Sequence, residues 1–244
     1  MNLLRLVRSN MCRSQTNTQA MAIQRWAVTS MPPWERGIAA ILLALLSPLL
    51  LLLVSWVKLI SPGRALFVSE RLGKDGHVFR LFKLRTMRQD AIAIMTHDMR
   101  TIVRDDDERL IPGGKLLRIG FDELFQLWNV VRGDTRFVGP RPDLAWMKDY
   151  YLPAALPKLS VAPGITGWAQ VLGSRNLTTR QRYLLDLWYV AHRNAWLDVK
   201  IVLWTPLYML TGIGPGAMLR DRCIAAMSNI GPLFIGDEAG ERSK

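Results

Sequence analysis

The apolar positions of this chain are gathered in one place. Between Arg36 and Lys58 the sequence runs GIAAILLALLSPLLLLLVSWV without a charge, and about 20 apolar residues are enough for a helix to span the hydrocarbon core of a bilayer. A secretory signal would lie closer to the N-terminus, so the run predicts a retained membrane helix over 36–60. Ser47 and Pro48 stand at its middle, where proline removes a helix hydrogen bond and bends the axis. Basic residues mark the cytoplasmic side of a membrane segment, and here they flank both ends: Arg25 and Arg36 before, Lys58, Arg64, Arg71 and Lys74 after. Two topologies fit this pattern: a spanning helix that tolerates its proline, and a kinked re-entrant helix with both ends in the cytoplasm. Residues 1–35 read as a loose leader.

Beyond the anchor the periodicity changes. Two apolar runs, Ala65–Leu72 and His77–Arg85, are joined through Asp75-Gly76, the dipeptide suited to a tight reversed turn, and predict a β-hairpin. Residues 88–104 mix polar and apolar positions in a helical manner, and Arg104–Arg109 reads as a charged turn. Leu124, Leu127, Trp128 and Val131 follow the i, i+3, i+4, i+7 spacing of an amphipathic helix, which begins at or just before Asp122-Glu123. Val138-Gly-Pro-Arg-Pro142 and Ala162-Pro-Gly-Ile-Thr-Gly167 are rigid loops. A helix is expected over 178–192, then an apolar stretch from Trp196 to Leu210 that packs on the domain or lies at the membrane interface. The Gly/Pro-rich tail, 211–244, is expected to be mobile.

Composition narrows the partners. Half of the 244 residues are hydrophobic and nine are tryptophan, too apolar for a disordered chain. Lys and Arg number 32 against 20 Asp and Glu, a net charge of +12, which calls for an acidic partner: nucleic acid, anionic lipid or a phosphorylated substrate. The two cysteines, Cys12 and Cys223, form no disulfide framework or zinc pattern. None of His77, His97 and His192 has a metal-ligand spacing, and no phosphate-binding glycine loop, dinucleotide fingerprint or nucleophile elbow is present. Asn176-Leu-Thr178 is a glycosylation sequon without meaning on a cytoplasmic face.

Asp122 and Glu123, adjacent at a helix start, point in different directions and can take different tasks. A helix N-terminus favours an ionised carboxylate and attracts phosphate, and an ionised aspartate there can attack phosphorus. Acidic residues in a first turn are also common dipole stabilisers. Lys83, Arg85, Arg118 and Arg141 supply cations and forked donors of the kind that bind phosphate; Arg141 stands apart because prolines fix its backbone on both sides. The run Asp105–Glu108 reads as a solvated turn more readily than as a cation site.

In order along the chain stand Ser61-Pro-Gly63, Glu70-Arg-Leu-Gly73, Lys83-Leu-Arg-Thr-Met87, Asp107-Glu-Arg109, Leu117-Arg118, Asp122-Glu-Leu-Phe-Gln-Leu-Trp-Asn129, Val138-Gly-Pro-Arg-Pro142, Pro163-Gly-Ile-Thr-Gly-Trp-Ala-Gln170 and Trp196-Leu-Asp-Val-Lys200. Over about residues 36–210 this series resembles the bacterial sugar transferases, monotopic phosphoglycosyl transferases that begin the assembly of surface glycans. The resemblance implies transfer of a sugar 1-phosphate from a UDP-sugar to a membrane polyprenol phosphate, with release of UMP, Mg²⁺ as cofactor and a covalent phosphosugar–aspartate intermediate. It implies Asp122 as nucleophile and metal contact, Glu123 as its partner, and Lys83, Arg85, Arg118 and Arg141 as the substrate-binding set. It further implies a re-entrant helix kinked at Ser47 and Pro48, in the bacterial inner membrane with the catalytic domain on the cytoplasmic face.

The expected fold is therefore α+β and helix-rich: one membrane-anchored domain, 61–210, with a re-entrant N-terminal helix, a β-hairpin and amphipathic interfacial helices. The expected partners are UDP-sugar, polyprenol phosphate and anionic lipid, with homo-oligomerisation left open. Nucleic acid falls away, because no binding module accompanies the charge. The rival is a non-catalytic scaffold of a glycan-assembly complex that uses its basic face on anionic lipid.

Overall fold

The structure is a computed structural model, and it describes residues 32–94, 107–173 and 177–235. The apolar run forms a single helix, α1 (Pro33–Ile60), with a proline in its first turn and Pro48 inside it. It starts three residues earlier than the sequence pattern suggests. Pro48 cannot donate to the carbonyl of Ala44, and the Ser47 hydroxyl takes that place with a 2.7 Å hydrogen bond to Ala44 O. The side chain next to the proline thus satisfies the acceptor the proline abandons, and the helix runs on without a break. α1 is long and apolar enough to cross a membrane, and Leu45, Leu51, Leu52 and Leu59 on it are exposed, which fits a membrane-associated chain.

The opposite stripe of α1 lies along the domain. Ala39, with Leu42, Leu43 and Leu46, packs on Leu127 and Val130, while Leu53 and Val57 pack on Ala65, Leu84, Ile111 and Leu117. At its start Glu35 is 2% exposed, accepting from Arg136 Nε at 2.9 Å and from the Phe137 N–H at 3.3 Å. At its end the Ser61 carbonyl accepts from Arg85. Both ends of the apolar helix therefore touch the same domain.

The hairpin forms as expected. β1 (Leu66–Leu72) and β2 (Val78–Leu84) pair antiparallel in the register Leu66 to Leu84 through Leu72 to Val78. Asp75 and Gly76 turn with φ of 56° and 75°, the left-handed region that Asp tolerates and Gly prefers. The expected helix over 88–104 is absent from 88–94; the Arg88 N–H instead donates to Arg109 O, Met87 bridges to Leu110, and 95–106 lie outside the described residues. Asp107 and Arg109 close a turn on each other at 2.6 Å.

A short helix α2 (Gly114–Leu117) leads to a 3₁₀ turn, Phe121–Gln126, and then to α3 (Leu127–Arg132). The amphipathic helix read from Leu124 to Val131 is thus split, and Asp122 and Glu123 lie on the tighter turn rather than on an α-helix N-terminus. Gly120, with φ 131°, breaks the chain direction just before them.

β3 (Arg136–Val138) and β4 (Gly164–Thr166) pair in parallel and carry the two proline-glycine loops. A side chain on Gly164 would place its Cβ 2.1 Å from the Gly139 nitrogen, so the loops meet backbone to backbone. α4 (Trp168–Val171), α5 (Thr179–His192), α6 (Ala195–Thr211) and α7 (Ala217–Ala226) follow. α5 opens with a capping box between Thr178 and Gln181. α6 packs Leu197 and Ile201 into the core under β3 and exposes Trp196, Val202, Leu203 and Leu210.

The tail departs from expectation. Up to Ile235 it is ordered: α7 packs on α5 through Cys223 and Ile224, and Leu233 and Phe234 are buried among Met147, Tyr183 and Leu187. Apolar anchors at 233 and 234 outweigh the flexible Gly/Pro composition around them. The leader through 31, the residues after 235 and the sequon asparagine Asn176 lie outside the described residues.

Candidate active site

Asn129 sets the site's geometry. Fully buried on α3, its amide donates to Arg80 O at 2.7 Å and accepts from the Phe82 N–H at 3.1 Å, fixing the edge of β2 against the helix that follows the carboxylate pair. Lys83, the next residue of β2, then reaches the pair: its Nζ is 2.6 Å from Glu123 Oε1 and 3.7 Å from Asp122 Oδ2.

The two carboxylates are pushed in opposite directions. Burial raises the pKa of Asp122 and the neighbouring Glu123 charge adds to this, with Lys83 and Arg118 opposing. Burial alone would raise Glu123 as well, but Lys83, Arg141 and Arg71 outweigh it and hold Glu123 below its ordinary value. Paired groups whose environments drive their acidities apart are the mark of divided chemical roles. Glu123 is held as a carboxylate that pins Lys83, and Asp122 keeps the less encumbered carboxylate oxygens.

Lys83 reaches both carboxylates, while Arg118 lies within electrostatic range of Asp122 and Arg141 within electrostatic range of Glu123. Arg85 does not join them: its guanidinium turns to Ser61 O at 2.9 Å. Arg71, which the sequence offered as a flanking charge and within Glu70-Arg-Leu-Gly73 but with no site role, lies beside Arg141 instead. Its Nη1 donates to Pro142 O at 3.3 Å, its backbone bridges to Leu144, and burial, with Arg141 beside it, lowers its pKa to about 10 against the pull of Asp143 and Glu123. Its position on the inward face of β1, opposite Phe79, was the available signal.

The Arg141 loop is held from behind by a buried cluster that sequence reasoning missed. Lys158, 4% exposed, lies 2.6 Å from Asp143 Oδ2 and 3.0 Å from Asp186 Oδ2 and sits over the Tyr183 ring. The hydroxyls of Tyr151 and Tyr183 also donate to Asp143, and the Leu72 N–H donates to Asp143 O. Asp143 follows Pro142 directly, so this network fixes Arg141 two residues away. Between them lies a half-open hollow of about 10 Å³, room for a single water molecule, lined by Arg141, Pro142, Asp143, Lys158, Leu72 and Gly73. Among the described residues no group of three His, Cys, Asp or Glu forms a ready metal cage.

This arrangement of an aspartate–glutamate pair, a lysine between them and an arginine on a Gly-Pro-Arg-Pro loop lies within the span, residues 34–212, that matches the family model described as bacterial sugar transferase. The chain belongs to the bacterial sugar transferase family. It is 44% identical over 184 residues to a Caulobacter vibrioides protein named UDP-glucose:undecaprenyl-phosphate glucose-1-phosphate transferase, covering 71% of this chain and 67% of that protein. It is 37% identical to an Aeromonas hydrophila UDP-N-acetylgalactosamine-undecaprenyl-phosphate N-acetylgalactosaminephosphotransferase, over 72% of this chain and 42% of that one. A Bacillus subtilis sugar transferase is 35% identical over 72% of this chain and 85% of its own length. Against several family members, then, the match spans well under half of the relative's length.

Proposed function

We propose that the protein transfers a sugar 1-phosphate from a UDP-sugar to a polyprenol phosphate in the membrane, the first membrane step of surface glycan assembly. The observation that carries this reading is the buried Asp122, with Glu123 locked onto Lys83 beside it and Arg118, Arg71 and Arg141 within electrostatic reach. The relatives' names, each a UDP-sugar and undecaprenyl-phosphate transferase, support the same reaction.

In the first step an Asp122 carboxylate oxygen attacks the sugar-bearing phosphorus. The bond to the UMP oxygen breaks, UMP leaves with the electron pair, and an aspartyl phosphosugar remains. Arg71 and Arg141 hold the phosphates in line and offset their charge. In the second step a phosphate oxygen of the lipid attacks the same phosphorus and Asp122 is released as carboxylate. Splitting the transfer this way lets one side chain serve both substrates in turn.

The donor set fits Mg²⁺, which binds through one or two carboxylates and completes its shell with waters and substrate phosphates. Asp122 is the side chain that would hold it, since the nearer Glu123 oxygen is taken by Lys83. Bound there, it would neutralise pyrophosphate charge and improve UMP as a leaving group.

Contact of both ends of α1 with one domain, through Glu35 and Ser61, supports a re-entrant helix with the catalytic domain on the cytoplasmic face of the inner membrane. The basic surface suits anionic lipid there.

The test is UMP release by the purified full chain with Mg²⁺, polyprenol phosphate and a panel of UDP-sugars, which also identifies the sugar. Asp122→Asn lowers turnover by roughly 10⁴-fold or more with an unchanged melting temperature; full activity in that variant sinks the nucleophile assignment.

A further inference from the structure

Arg85 is a buried cation that the dyad leaves unused. It follows the last residue of β2, its N–H donating to Ala65 O, and it is 6% exposed. Nη2 donates to Ser61 O at 2.9 Å, while Nε and Nη1 are buried with no hydrogen-bond partner. A guanidinium is always charged, and its fork of donors matches phosphate or carboxylate oxygens. Leaving two of its buried nitrogens unpaired is costly, so this geometry points to a missing anion.

Gly63 faces the guanidinium, and a Cβ built on it would lie 3.6 Å from Arg85 Nη1 and 1.8 Å from Gln89 Oε1. The notch left by the absent side chain already admits an oxygen atom, that of the Gln89 amide. Gln89 is exposed, so this plug is free to swing out.

Its place in the fold selects the anion's source. Ser61 follows the apolar helix α1, and its sequence neighbours Lys58, Leu59, Arg64 and Phe67 are exposed, a mix of cations and apolar side chains suited to the headgroup level of a bilayer. Arg85 also lies two positions beyond Lys83, on the same face of the strand direction, and Lys83 touches the dyad.

We propose that the Gly63–Arg85 notch seats the phosphate of the lipid acceptor, a phosphate monoester on a membrane-embedded isoprenoid chain, with Nε and Nη1 taking its oxygens as Gln89 leaves. This rests on the reading of the chain as a polyprenol phosphate transferase. It divides the cations: Arg71, Arg118 and Arg141 serve the dyad, and Arg85 the incoming lipid.

The test measures binding by the full chain in phosphatidylcholine nanodiscs, without UDP-sugar, of undecaprenyl phosphate and, in a separate arm, of phosphatidic acid. Arg85→Gln removes the donors. Gln89→Glu leaves the core untouched and sets a carboxylate beside the guanidinium, where it competes with the ligand. Each variant is expected to weaken undecaprenyl phosphate binding at least tenfold, and the wild type to prefer that lipid over phosphatidic acid. Unchanged affinity in either folded variant overturns the proposal, including the case in which Gln89→Glu raises the melting temperature and does nothing else. A preference for phosphatidic acid overturns the assignment to the acceptor. Since the measurement needs no turnover, a wild type that binds the lipid yet releases no UMP would fail the transfer reading alone.

Discussion

Lys83 is the residue on which the chemistry turns, because one ammonium group answers to both carboxylates. It is hydrogen bonded to Glu123 and close enough to Asp122 to oppose the rise that burial imposes there. In the proposed mechanism Asp122 attacks only when ionised, so activity is expected above its pKa and is expected to be lost as pH falls through it. Replacing Lys83 with Met removes the group that lowers that pKa, and the acid limb of the kcat profile is expected to move to higher pH, measured as UMP release between pH 5 and 9. Turnover at pH 7 should fall on the order of 100-fold, as for loss of one preorganised electrostatic contact; an unmoved acid limb would count against Asp122 as the titrating group. Much of this was legible beforehand. The dyad, Lys83, Arg118 and Arg141 stand in the sequence as motif residues. Arg71 stands there too, in Glu70-Arg-Leu-Gly73, but without an announced role; Lys158 and Asp143 do not, because their roles come from burial and from partners 15 to 71 residues distant that no spacing announces.

Elements were legible where a short-range rule governs them. The Asp75-Gly76 turn, the capping box at Thr178 and the unbroken apolar run each fix a local geometry that the sequence states outright. The split of the dyad helix into a 3₁₀ turn and α3 follows instead from Gly120 and from the docking of Asn129 on β2, a contact 47 residues away. A second long-range device joins α1 to β3. Glu35 and Arg136 form a buried ion pair, with Asp198 of α6 3.5 Å from the same guanidinium nitrogen. Breaking a buried pair strands a charge at a cost of about 3–5 kcal/mol. Arg136→Met is therefore expected to lower unfolding stability by about 3 kcal/mol, and the double variant with Glu35→Leu to recover most of it, read from denaturation midpoints in detergent. Additive losses would show that the two side chains are not coupled.

At the scale of the whole molecule Phe234 ties the late part of the chain to the support of the site. Phe234, 3% exposed, packs edge-on to Tyr183 at 4.4 Å and to Tyr151 at 5.8 Å, and both tyrosines donate to Asp143 beside the Arg141 loop. Phe234→Ala should cost about 3–4 kcal/mol, and it should raise the KM for UDP-sugar because the loop behind Arg141 loosens; an unchanged KM would separate the tail from the site. Topology is decided at this scale as well. Single cysteines placed at Trp34 and Arg64 are expected to share one labelling pattern, accessible to a membrane-impermeant maleimide only from the cytoplasmic side. Labelling of the first from outside would establish a spanning helix.

Asn129 has a consequence for how copies of the protein can meet. A two-stranded hairpin carries open edges, and an open edge is a template onto which another strand can add. The Asn129 carboxamide accepts from the Phe82 N–H and donates to Arg80 O, the two outward groups that an added strand would have used. A single side chain thus stands in for a third strand and closes that stretch of β2 to its neighbours, so association of this chain through continuous sheet at that register is blocked from within.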